Sequence, residues 1–171
     1  MPNATGNPAS ALWRFSLDFY ARPRVPAACL ESQDRAGADV NVLLYLLFLA
    51  THLRKLERAD VARIDALVRA WRDTAVVPLR TLRRQLKSGI PPIPITATDA
   101  LRSAVKRIEL DAERIEQEWL EHHAPVTSLG RPAPSQTAAA RANLAAYGAH
   151  LKELPATAVE TLLAEYAQTY A

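Results

Sequence analysis

The chain has 171 residues, 49% of them hydrophobic and 23% charged, a size and balance that suit one globular domain and exclude a wholly disordered chain. Its 21 basic residues outweigh 18 acidic ones only slightly, so net charge alone does not point to nucleic acid. One cysteine, Cys29, excludes an intramolecular disulfide and a cysteine-cluster metal site.

Glycine is scarce, Ala, Leu, Arg and Glu abound, and alternating β-branched runs are missing, which predicts helix throughout. The opening residues lack the basic start and apolar core of a secretory leader. The longest apolar run, Val42 to Ala50, is nine residues against about 20 needed to cross a bilayer. A cytoplasmic protein is the expectation.

Residues 1–9, with Pro2, Gly6 and Pro8, are expected to form a disordered tail. Ser10 suits the N-cap of a first helix carrying Leu12, Trp13, Phe15, Leu17, Phe19 and Tyr20. Arg22-Pro23 ends it, because a residue preceding proline avoids helical geometry. A short second helix runs through Val25, Ala28, Cys29 and Gln33 to Gly37, where glycine tolerates a left-handed C-terminal turn. Asp39 then reads as the N-cap of a central helix, about Val40 to Leu56, apolar all round for more than two turns and therefore placed in the middle of a bundle.

Asp60 suits the cap of a fourth helix with a seam of Val61, Ile64, Val68, Trp71 and Ala75. Pro78 predicts a kink, or two helices joined near Val76 to Pro78, before Leu79, Leu82 and Leu86 resume the pattern. Ser88 to Thr96, SGIPPIPIT, reads as an extended non-helical connection. Thr98 or Asp99 caps a fifth helix whose apolar stripe is Leu101, Val105, Ile108, Ala112, Ile115 and Trp119. Residues 124–136 read as a linker. Beyond it lie an alanine-rich helix with Leu144, Tyr147 and Leu151, and a last helix opened by a capping box, Thr157 with Glu160. The fold class expected is all-α: a six- to seven-helix bundle around the central helix, with its core over 10–123 and a hairpin over 137–171 that packs on the core or docks from it.

The polar block before the central helix is the first candidate site. Gln33, Asp34, Asp39 and Asn41, beside Trp13 and Tyr20, have the convergent amides and carboxylates that a small polar ligand needs. The competing reading makes Asp39 and Asn41 parts of a helix start, leaving Gln33 and Asp34 without a capping duty. Arg80, Arg83, Arg84 and Lys87 form a basic patch suited to phosphate, RNA or an acidic partner. The competing reading pairs it with the next helix, which carries six acids against one arginine between Glu109 and Glu121. Cys29 reads as a small core residue. Glu118 and His122 share a helix face, but the Glu-x-x-His pairs of a di-metal bundle are missing, so no metal or cofactor is expected.

Several stretches carry a resemblance. Trp13 and Phe15, Tyr20-Ala21-Arg22-Pro23, Ala28-Cys29-Leu30, Gln33-Asp34 and Asp39-Val40-Asn41, then Trp71, Pro78-Leu79-Arg80, Arg83-Arg84 and Glu109-Leu110, resemble an uncharacterised family of small proteobacterial proteins, a domain of unknown function. The resemblance spans Leu12 to Leu120. It implies a shared helical fold and bacterial origin and carries no activity over. Three functions follow: a non-catalytic helical interaction, adaptor or regulatory protein, acting on a protein partner or as a homo-oligomer; a small-molecule binder or enzyme of unfamiliar type at the polar block; and nucleic-acid binding through Arg80 to Lys87.

Overall fold

The computed structural model describes residues 10–170, and the tail expected over 1–9 lies outside them. Eight α-helices follow one another: α1 (Ala11–Tyr20), α2 (Val25–Ala36), α3 (Val40–Thr51), α4 (Arg58–Trp71), α5 (Val77–Lys87), α6 (Ile95–His123), α7 (Gln136–Leu151) and α8 (Ala156–Tyr170). A π turn over Arg72–Val76 joins α4 to α5 without a break, so the described residues form seven continuous helical rods. Two short strands, β1 (Arg54–Lys55) and β2 (Arg131–Pro132), pair antiparallel. The fold is an all-α bundle.

Local chemistry starts these helices where the side chains suit it. The Ser10 hydroxyl accepts from the Trp13 amide, and Gly37 closes α2 at φ 66°, a left-handed conformation costly to residues with a Cβ. Asp39 Oδ1 accepts from the amides of Asn41 at 2.8 Å and Val42 at 3.5 Å. The helix it starts, α3, buries every residue from Asn41 to Ala50. Each Leu or Phe buried there stabilises the fold by roughly 1.5–3 kcal/mol, which makes α3 the axis of the core.

The central helix is shorter than its sequence predicts. It ends at Thr51, the chain reverses through Leu53 at φ 57°, and Arg54 and Lys55 pair with β2 instead. Asn143 of α7 stabilises this departure. Its Oδ1 accepts from Leu56 N, and its Nδ2 donates to the Leu46 and Arg54 carbonyls. Residues 124–136, expected as a linker, bury Ala124 and Leu129 and supply β2. The C-terminal hairpin packs on the core over its described residues, 137–170: α7 lies along α3, α8 lies along α2, and Ala139, Leu144, Tyr147, Leu162 and Tyr166 join the same apolar cluster as α3.

Other helix starts differ from expectation. Asp60 lies in the first turn of α4, not before it, and accepts from the Glu57 amide at 3.0 Å. α6 starts at Ile95, so Ile95 and Thr96 of the expected connection are helical, and the Thr98 hydroxyl donates to Ile95 O inside the first turn. α8 starts at Ala156, and Thr157 spends its hydroxyl on Glu31, 2.9 Å away.

The expected kink at Pro78 takes a specific form. Proline has no amide proton and crowds the preceding turn. Across the π turn the Val77 amide reaches back five residues to the Arg72 carbonyl. The helix absorbs the proline by widening, and the widening sets Arg72 where it points inward.

Candidate functional site

The six residues expected to form one polar site fall into separate places. Asp34 is exposed on α2, accepting from Gln33 Nε2 at 3.3 Å and from Arg84 Nη2 at 3.0 Å. The Arg84 bond holds the Asp34 carboxyl below its usual range. Gln33 is half-buried and follows Asp34 outward, because α2 buries Val25, Ala28, Cys29 and Ser32 and Gln33, Asp34 and Arg35 lie off that face. Trp13 and Tyr20 are half-buried on α1 and share no hydrogen bond with the other four. The expected convergence is corrected on that point, and only Asp39 and Asn41 turn into the core.

Those two enter a buried polar seam that sequence periodicity does not show. Arg72 Nη1 donates to Asp39 Oδ2 at 3.0 Å and to Asp65 Oδ1 at 2.7 Å. Asp65 Oδ2 also takes Arg69 at 2.7 Å and faces His150 Nε2 at 3.3 Å. The Asp39 amide donates to the Tyr147 hydroxyl at 2.8 Å. Asn41 Oδ1 accepts from Gln117 Nε2 of α6 at 2.9 Å. Burial by itself raises the Asp65 carboxyl, yet the bonds from Arg69, Arg72 and His150 outweigh it and hold it below its usual range. Burial likewise opposes the charge on Arg72, and Asp65 and Asp39 restore it.

Glu116 adjoins this seam, 1% exposed, with neither carboxyl oxygen in a well-formed hydrogen bond. Burial and then the neighbouring Asp39 carboxylate push its pKa far above the usual range, so it is neutral at physiological pH. Gln117 Oε1 is buried and unpaired as well. The composition of α6 hints at such a face, since it carries more carboxylates than a solvated helix next to a basic run needs.

A second polar layer continues along α6. Arg80 donates to Glu109 at 3.2 Å and to Glu113 at 2.7 Å, and Arg83 forks onto Glu109. With Arg84 on Asp34, three of the four residues of the basic run face carboxylates, while Lys87 is exposed. Burial raises the Glu113 carboxyl against the pull of Arg80, and burial likewise raises the Tyr20 hydroxyl beside this layer.

The inward turn of these acids has a consequence outside. α6 buries Val105, Glu109, Ala112, Glu116, Gln117 and Leu120, not the whole expected apolar stripe. Leu101 and Ile108 are 54% exposed, Ile115 46% and Trp119 49%. Trp71, expected in the α4 seam, is also partly exposed, its indole nitrogen donating to Ala112 O at 3.0 Å.

Apart from Glu116 and Gln117, the polar side chains of the seam are hydrogen-bonded to one another. Two surface depressions, one along Ser135 to Ala145 and one between Arg35 and Thr157, lie on other residues. Among the described residues no group of three His, Cys, Asp or Glu side chains is placed to hold a metal ion, and no helix is long and apolar enough to cross a membrane.

Fold and site together define a helical-bundle protein with a buried polar seam and an outward apolar stripe on α6. The chain belongs to the family of proteins of unknown function DUF2390, which matches residues 11–120. The match includes Asp39, Asn41, Asp65, Arg72, Glu116 and Gln117 and ends before α7, which supplies Tyr147 and His150. No curated protein and no solved structure matches the chain.

Proposed function

We propose that the protein is a non-catalytic helical interaction protein, an adaptor or regulatory partner, and that it binds through the outward stripe of α6. The observation that carries this reading is the exposure of Leu101, Ile108, Ile115 and Trp119 on one side of one helix. Large apolar side chains in a row on a water-facing helix favour burial against another protein. The pairing within the interior polar seam supports the same reading, since its ionic groups are spent on one another.

The test places a photo-crosslinking amino acid at position 108 in cells, with position 58 on the exposed start of α4 as control. Crosslinked protein species at 108 and none at 58 are expected. Equal labelling at both positions, or none at either, overturns the proposal.

A second reading, a small polar ligand held between the start of α3 and α6, is supported by the buried, unpaired oxygens of Glu116 and Gln117. A thermal-shift screen of small polar metabolites checks it. A hit whose stabilisation survives Glu116→Gln and Gln117→Leu counts against that site.

A further inference from the structure

We infer that the stripe of α6 pairs with the same stripe of a second copy of this chain, the two helices running antiparallel about a twofold axis near Ala112–Glu113. This rests on the interaction reading above and names its partner.

The stripe first resembles a helix-pairing seam. Leu101, Ile108 and Ile115 recur every seven residues, with Ala104 and Trp119 within about 60° of the same line around the helix. All but the half-buried Ala104 are exposed.

The charges beside the stripe then select the partner and its direction. Arg107, Asp111, Arg114 and Glu118 follow one edge at spacings of four, three and four, and all four are exposed. Their signs alternate: plus, minus, plus, minus. In an antiparallel pair of identical helices, one edge faces the same edge of its mate, read backwards. Reversed, this row puts Glu118 opposite Arg107 and Arg114 opposite Asp111, so each charge meets its opposite. About a centre one residue earlier, on the apolar side of the seam, Ile108 meets Ile115 and the small Ala104 meets the large Trp119. An isologous twofold interface needs this self-complementarity, and the row has it without change.

The other acids of α6 do not disturb the pattern, Asp99 in its first turns lying 3.4 Å from Arg102. Glu109 and Glu113 are engaged by Arg80 and Arg83, Glu116 is neutral in the core, and Glu121 accepts from the Ala11 and Leu12 amides. Arg114 and Glu118 lie 3.8 Å apart within the helix, close enough to be shared with a mate.

The experiment is light scattering and sedimentation of the full chain across the micromolar range. A mass of two chains is expected. Ile108→Asp with Ile115→Asp gives one chain with unchanged far-ultraviolet circular dichroism. Arg107→Glu alone weakens pairing by about tenfold or more, as a like-charge contact at an interface does. Arg107→Glu combined with Glu118→Arg recovers it, an outcome that a mere folding defect does not produce. A monomer at every concentration, or a dimer indifferent to these substitutions, overturns the self-pairing. If the chain is monomeric while position 108 still crosslinks to a different protein, self-pairing fails and the interaction reading stands. If neither occurs, both fail.

Discussion

Arg72, on the π turn, donates to Asp39, the residue that starts α3, over 3.0 Å. The bond ties a widened turn of one helix to the first turn of the most buried helix in the molecule. The same Arg72 nitrogen reaches Asp65, so a single guanidinium stands between two buried carboxylates.

Replacing Arg72 by leucine therefore takes from Asp39 its cationic partner and leaves Asp65 only Arg69 and His150. Loss of one partner from a buried pair costs about 3–5 kcal/mol, and chemical denaturation of Arg72→Leu is expected to read a loss of that size. Arg72→Lys, a point charge without the planar fork, is expected to recover only part of it.

Glu116 gives the protein a pH dependence of definite sign. Its folded-state pKa is raised above the unfolded value, so the stability it contributes is fully present below the ordinary glutamate range. That contribution is lost as pH rises from there toward the folded-state value. Unfolding free energy is expected to fall with rising pH between about 6 and 9, by at most about 1.4 kcal/mol per unit from this group. Glu116→Gln stays neutral and flattens that slope. A variant with the same slope as the parent refutes the assignment.

Asn143 bonds three backbone groups of α3, β1 and the residue after it. Asn143→Leu removes all three bonds and takes from the Leu56 amide its partner, each bond being worth about 1 kcal/mol. Urea denaturation is expected to show a loss of about 3 kcal/mol. Hydrogen exchange at the Leu56 amide should quicken more than at mid-α3 amides.

Gly130 sits at φ 58°, and a Cβ there would press directly on the Lys55 carbonyl. Gly130→Ala is expected to cost about 2 kcal/mol or more by thermal melting, through the left-handed backbone and the clash together. Gly37→Ala has the same backbone penalty without a close neighbour, so it should cost less.

The sequence by itself determined what depends on neighbours along the chain. Ser10 and Asp39 cap because their oxygens reach amides two and three residues on, and Gly37 ends α2 because it bears no Cβ. The run Val42 to Ala50 demands burial whichever face it presents. The family resemblance over Leu12 to Leu120 was legible in the motifs of the first two helices. Only the tertiary structure decided which side of α6 faces in. Apolar spacing picks out Leu101, Ile108, Ile115 and Trp119, yet the molecule turns Glu109, Glu116 and Gln117 inward. The arginines of α5 and the start of α3 lie on that side, and charged and amide partners across helices outweigh the local pattern. Gln33 and Asp34, which the sequence aims at the core, face outward by the same rule: their partners are each other and Arg84, on the surface. A helix shows its periodicity in its own residues, but the face it buries is set by what the other helices bring to it.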